Sequence, residues 1–268
     1  MLPIPKYLQV FALSLLTLSA IIDRPAWGDV PTDSPILSES LCQKVFKETV
    51  ERVRSDRNWR ISERERQIFK DCRTKFAPPP NPNAPLPSAA ECLSLVKAVF
   101  QVGGDLNKLA ETDLRQDRLM SMERCSEVIK SYYIPAGSML PTLKINDRII
   151  IDKTAYQNRA PQRGDIIVFN PTAQLRREKF KEPFIKRIIG LPGETVKVKS
   201  GKVYINGKLL AENYLDEQPQ YQYRSGVIPK NSYFVLGDNR NNSYDSHYWG
   251  SVPRELIIGK LIWKLDSK

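Results

Sequence analysis

Residues 184–194 read FIKRIIGLPGE, an apolar run that carries a Lys-Arg pair and ends in a turn. Side chains alternate along a strand, so Lys186 is predicted on one face and Arg187 on the other. Other short apolar runs bounded by turn residues follow the same pattern: 148–153, 165–169, 195–199, 202–210, 232–236 and 257–265. The run at 202–210 contains Asn-Gly, the favoured turn of a two-residue hairpin. Residues 131–268 are therefore predicted to form a mainly β domain of antiparallel sheets.

The region before this domain has a helical pattern. Residues 36–76 and 88–130 show charged and apolar positions at helical spacing, and the Pro-rich stretch 77–87 separates them as an extended linker. All four cysteines lie in this region, and an even number in an exported chain predicts disulfides. Three pairings are possible. The spacing favours two stapled helical hairpins, Cys42–Cys72 and Cys92–Cys125.

Residues 1–28 have the composition of a targeting segment. Lys6 precedes an apolar run from Leu8 to Ile22. A helix of that length spans about 22 Å, less than the roughly 30 Å of a bilayer core. Ala26-Trp27-Gly28 is similar to a small-x-small cleavage site. A cleaved signal peptide and a retained membrane anchor both stay open, and both place the rest of the chain outside the cytoplasm.

A serine in a tight turn is the candidate nucleophile. Ser138 lies in the stretch 134–143, IPAGSMLPTL. A serine hydroxyl needs a base to attack a carbonyl, and the chain has a single histidine, His247. Lys186 can act as the base, because burial among its apolar neighbours lowers the pKa of a lysine and leaves a neutral amine. A Ser138–His247 pair is the weaker alternative.

Four stretches in order, 134–143, 163–169, 184–194 and 237–250, together resemble the motifs of type I signal peptidases. These are membrane-bound Ser/Lys proteases that remove signal peptides. They usually keep their anchor, so the resemblance favours a retained anchor over a cleaved signal peptide for residues 1–28. The resemblance covers roughly residues 130–268. It implies a signal-peptidase-like β fold and an endopeptidase whose substrates are the signal peptides of preproteins.

The resemblance also implies a role for each matching residue. Ser138 would be the acylating nucleophile and Lys186 the general base. Ser243 would hydrogen-bond the lysine amine, and Asp245 would fix the surrounding region. Met139 would lie near the substrate. Ile185 would line the pocket that accepts small substrate side chains. The remaining matches would form a polar framework: Asp238, Asn239, Arg240 and Asn242.

Two positions depart from the family pattern. Many bacterial members have a serine that helps to hold the oxyanion where this chain has Ala136, which has no side-chain donor. The backbone N–H of Ser138 is then the expected donor, and loss of one such donor costs about 10²–10³ in rate in other proteases. Many members have an arginine where this chain has His247, so the pair with Asp245 is expected to be weaker or pH-dependent.

Charge and composition restrict the partners. The net charge of +11 is spread along the chain, and its densest cluster is 176–181. That cluster is either a solvated loop or a contact with anionic lipid headgroups. Nucleic acid is not expected as a partner, because there is no zinc-finger spacing or recognition-helix motif. No Cys-x-x-Cys is present, and neither a metal nor an organic cofactor is expected. The 36–130 region is a folded spacer or a docking module for an unknown partner.

These observations together predict a membrane-associated serine endopeptidase with its catalytic domain on the extracytoplasmic side. One rival is a catalytically weak or inactive relative that acts as a binding protein at the membrane. A second rival is a self-cleaving Ser/Lys regulator that binds DNA. The export segment and the cysteines oppose the second rival.

Overall fold

The structure, a computed structural model, describes residues 38–55, 62, 64, 67–68, 71–72, 86–101 and 124–265. The chain divides into two units, one of residues 1–132 with 265–268 and one of residues 133–264. The predicted targeting segment 1–28 lies outside the described residues, as does the linker 77–87 except for its last two residues. The predicted domain limits stay a prediction.

The first unit contains the helices α1 (Glu39–Ser55), α2 (Ala89–Gln101) and α3 (Cys125–Val128). A capping box begins α2: Ser88 Oγ accepts from the N–H of Glu91, whose carboxylate accepts from the N–H of Ser88. Buried disulfides join Cys42 to Cys72 and Cys92 to Cys125, the pairing that the spacing favours. Among the described residues, no helix combines the length and the apolar character needed to span a bilayer.

The helical prediction extends too far at its carboxyl end. Strand β1 (Ile129–Tyr133) follows α3 directly, where helix was expected to residue 130. Its sequence, Ile-Lys-Ser-Tyr-Tyr, is rich in residues that favour strands, and this local preference decides the conformation.

Two sheets form the second unit, which begins with Tyr133. Within this unit the larger sheet has the order β2-β11-β3-β4-β9-β10. Its strands are β2 (Arg148–Asp152), β3 (Ile166–Phe169), β4 (Phe184–Gly190), β9 (Ser232–Leu236), β10 (Val252–Pro253) and β11 (Ile257–Leu265). The smaller sheet has the order β7-β6-β5-β8, built from β5 (Val196–Lys199), β6 (Lys202–Ile205), β7 (Lys208–Leu209) and β8 (Tyr223–Arg224). Pairing is antiparallel from β11 through β3, β4 and β9 to β10, and throughout the smaller sheet. Two short helices, α4 (Ala173–Arg177) and α5 (Ser246–Trp249), complete the unit.

Strands β4 and β9 are shared by two hydrophobic cores. Ile188 points into one core and Ile189 into the other, because adjacent side chains leave a strand on opposite faces. All five residues of β9 are buried for the same reason. The strand that carries Lys186 is therefore fixed on both faces.

The predicted fold class is confirmed: the chain is mainly β, with a helical, disulfide-stapled region before the sheets. The predicted strands lie where the alternating runs placed them. Their positions follow from a local pattern of apolar and polar residues, which the two cores then use.

Gly259 of β11 provides a test of how closely the strands pack. A Cβ added there would lie 2.4 Å from the carbonyl oxygen of Asp152, so the backbone would have to move. We expect Gly259→Ala to reduce the free energy of unfolding by about 1–3 kcal/mol, measured by urea denaturation. The control is Gly226→Ala, where an added Cβ has no heavy atom within 4 Å. Equal stability of the two variants would contradict this packing.

Candidate active site

Ser138 lies on a short 3₁₀ turn, Gly137–Met139, that the 237–250 segment holds in place. Asn239 binds the turn twice. Its Nδ2 donates to the carbonyl oxygen of Gly137 at 3.0 Å, and its backbone N–H donates to that of Ser138 at 3.2 Å. A residue about a hundred positions away therefore fixes the backbone of the serine.

Lys186 lies in the middle of β4, where it pairs with Ile167 of β3. Its Nζ is 2.8 Å from Ser138 Oγ and 2.9 Å from the carbonyl oxygen of Ile185. The Phe184 ring covers one side, with its centroid 5.7 Å from Nζ. The lysine is only 4% exposed. The structure thus brings the two predicted residues into hydrogen-bonding distance, with the amine buried.

Burial changes the protonation of this amine. Removal from water lowers the pKa of Lys186 from an ordinary value of 10.5 to about 8, against the opposing attraction of Asp245 and Asp238 for the ammonium form. At neutral pH about a tenth of the amine is then uncharged, compared with less than about a thousandth for a solvated lysine. The uncharged fraction is able to accept a proton.

Asp245 is fully buried and makes three contacts. One carboxylate oxygen accepts from the N–H of Gly237 at 3.0 Å, and the other lies 2.7 Å from Nδ1 of His247. The same carboxylate caps α5 by accepting from the His247 N–H. The His247 ring stacks on Tyr221 with centroids 4.3 Å apart. In the part of the chain that the structure describes, no hydrogen bond joins His247 to Ser138.

Arg187 points to the other face of β4, as strand alternation predicts. Its guanidinium binds both carboxylate oxygens of Asp238, at 2.8 and 2.6 Å, and Thr142 donates to the same carboxylate at 2.5 Å. The ring of Tyr214 lies 4.0 Å from the guanidinium carbon. This buried contact links the strand of Lys186 to the Ser138 segment and to the 237–250 segment.

Comparison with known proteins identifies the family. The model described as "Signal peptidase, peptidase S26" matches residues 119–265, more than half of the chain. The chain belongs to the signal peptidase family.

Several curated relatives are similar to this chain. The "Probable signal peptidase I-2" of Synechocystis sp. is 58% identical over 133 residues, 50% of this chain and 61% of the relative's own length. The "Signal peptidase I" of Leptolyngbya laminosa is 56% identical over 137 residues, 50% of this chain and 68% of that protein. The "Thylakoidal processing peptidase 1, chloroplastic" of Arabidopsis thaliana is 38% identical over 136 residues, 49% of this chain and 40% of that protein. A solved signal peptidase I from Enterococcus faecalis is 37% identical, covering 39% of this chain and 98% of that one, with a TM-score of 0.34.

Other residues matched to the signal peptidase motifs lie in varied surroundings. Met139 is completely buried, Ile185 is half-buried, and Asn242 is exposed and contributes a backbone N–H to a turn with Asn239. Contact of Met139 and Ile185 with a substrate stays a prediction. Ala136 is exposed and extended, with no side-chain donor to offer.

The role expected for Ser243 stays a prediction. Its hydroxyl is buried and has no hydrogen-bond partner among the described residues, so the bond expected to Lys186 is not formed in this structure. A Cβ added to Gly237 would lie 2.2 Å from Ser243 Oγ and 2.3 Å from the Ser138 carbonyl oxygen. Because Gly237 has no side chain, the Ser243 and Ser138 segments can both pack against its backbone.

The sequence does not reveal two buried contacts from the connection 210–230. Glu212 binds Arg240 through both carboxylate oxygens, at 2.9 and 2.5 Å, and Arg240 in turn donates to the carbonyl oxygen of Gly237 at 3.0 Å. Tyr221 from the same connection stacks on His247. The connection therefore packs against the 237–250 segment. Glu212 lies in a polar loop without periodicity, so no local signal marks it.

The Glu212–Arg240 pair gives a stability prediction. Arg240 has a fully buried side chain, so Glu212→Ala leaves a buried guanidinium without its carboxylate. We expect a loss of about 3–5 kcal/mol in the free energy of unfolding, measured by urea denaturation. The matched control is Glu217→Ala, which removes an exposed contact with Asn241 and is expected to change stability by less than about 1 kcal/mol. Similar losses in both variants would refute the special role of Glu212.

Proposed function

We propose that this chain is a membrane-associated serine endopeptidase that removes signal peptides from exported preproteins, with Ser138 as nucleophile and Lys186 as general base. One observation carries the proposal: a buried amine lies 2.8 Å from a serine hydroxyl. Membership of the signal peptidase family supports the substrate class.

Acylation begins when the Ser138 hydroxyl attacks the carbonyl carbon of the scissile peptide bond. The hydroxyl proton passes to Lys186 Nζ, and the carbonyl oxygen becomes an oxyanion. When the tetrahedral intermediate collapses, the C–N bond breaks and Lys186 returns the proton to the leaving amine. The amino-terminal part of the substrate is then held as an ester on Ser138.

Deacylation uses the same lysine. Lys186 takes a proton from water, which attacks the ester carbonyl, and the proton then returns to Ser138 Oγ as the ester bond breaks. The other groups position these two residues: Asn239 holds the serine turn, and Asp245 and Asp238 lie in the electrostatic surroundings of the amine. Ser243 is proposed to orient the amine during the reaction. The half-buried Ile185 is proposed to line a shallow pocket for small side chains.

Location at a membrane is part of the proposal. Residues 1–28 are proposed to target or anchor the chain, with the β domain on the extracytoplasmic side, where disulfides are stable. The cluster 176–181, in which all six side chains are exposed, is proposed to face anionic lipid headgroups. The role of the helical region stays open between a spacer and a docking module.

Two substitutions test the catalytic roles. We expect Ser138→Ala and Lys186→Ala each to lower kcat/KM on a signal-peptide substrate by at least about 10³-fold, because each removes a reacting group. The control is Lys197→Ala, an exposed lysine on β5, which should cleave at the wild-type rate. If wild type cleaves the substrate no faster than Ser138→Ala, the result favours the alternative hypothesis of an inactive binding protein.

The pH dependence has a definite sign. Lys186 must be uncharged to accept a proton, so kcat/KM should rise with pH through the lysine pKa of about 8 and level off above it. The same set of assays at pH 6–10 measures this profile. A profile that levels off below pH 7 would contradict lysine as the base.

A further inference from the structure

The loop after α4 carries one aromatic residue among charged ones. Its sequence from 178 to 182 is Glu-Lys-Phe-Lys-Glu, and Phe180 is 42% exposed. Lys179 has a φ of +68°, which is uncommon for a residue with a side chain. The Phe180 N–H donates to the carbonyl oxygen of Leu175 at 3.0 Å. The loop therefore turns sharply at Lys179, and this turn positions the Phe180 ring.

The ring joins two parts of the candidate site. Its centroid is 5.4 Å from that of Phe184, in an edge-to-face contact, and 6.0 Å from that of Tyr244. The Tyr244 hydroxyl donates to Glu178 at 2.7 Å, which ties the loop down a second time. Phe184 is the ring that lies beside the Lys186 amine, and Tyr244 stands in the chain between Ser243 and Asp245.

We propose that Phe180 is a positioning residue for Lys186: it holds the Phe184 ring beside the amine and limits the access of water from that side. The inference rests on the proposed function of Lys186 as general base. Phe184 and Ile185, which precede the lysine in β4, are themselves only half-buried. Phe180, which lies outside the strand, adds an edge-to-face contact to the half-buried Phe184 ring.

The expected consequence follows from hydration. Without the Phe180 ring, water reaches Phe184 and the amine more readily, and water favours the charged form of a lysine. The pKa of Lys186 then moves back toward its ordinary value of 10.5. A partly exposed ring contributes little to folding, so the effect should appear in the pH dependence of the reaction and not in stability.

The test compares Phe180→Ala and Phe180→Tyr in the full chain with wild type. For Phe180→Ala we expect the rising limb of kcat/KM against pH to move to higher pH by about half a unit or more. The thermal midpoint should stay within about 2 °C of wild type. Phe180→Tyr keeps the ring, so its kcat/KM should rise over the same pH range as that of wild type.

The control is Leu209→Ala, which shortens a 58% exposed apolar side chain in the smaller sheet. In this variant kcat/KM should rise over the same pH range as in wild type. An unchanged limb in Phe180→Ala, or an equal shift in Leu209→Ala, overturns the inference while the proposed function stands. Wild type no faster than Ser138→Ala refutes the proposed function, and the inference with it.

Discussion

The burial of a lysine amine beside a serine hydroxyl is the constraint that the surrounding structure satisfies. Taking the amine out of water favours its neutral form, while the carboxylates of Asp245 and Asp238 favour its charged form. Desolvation prevails, and a fall in pKa from 10.5 to about 8 corresponds to about 3 kcal/mol against protonation. A more exposed lysine would stay charged, and a lysine without nearby carboxylates would be neutral at lower pH still.

The fold meets this constraint through one central strand. Strand β4 lies between β3 and β9, and its alternating side chains enter two cores, so Lys186 has little freedom to move toward solvent. The serine comes from a separate turn, and Asn239 fixes that turn from the 237–250 segment. Asp238, next in sequence, binds Arg187 on the opposite face of the lysine strand. Two adjacent residues therefore contact the serine turn and the lysine strand.

The sequence predicted the strands well because a period of two is a local property of a half-buried strand. Four motifs in order also pointed to Ser138 and Lys186, which lie within hydrogen-bonding distance, while their catalytic roles stay a prediction. The sequence pattern does not predict the contacts that long loops make. Glu212 contacts Arg240 although no spacing rule relates them, and the buried Ser243 hydroxyl has no hydrogen-bond partner among the described residues. These features arise from tertiary packing, on which a local pattern carries no information.

The protonation of Lys186 can be measured without a substrate. Titration of the lysine side-chain carbon and nitrogen signals by NMR gives the pKa of each amine, and Lys186→Arg identifies the signal of this one. We expect a pKa of about 8, well below the ordinary lysine value of 10.5. A value near 10.5 would show that the amine is solvated and charged at neutral pH, which contradicts a role as the base for Ser138.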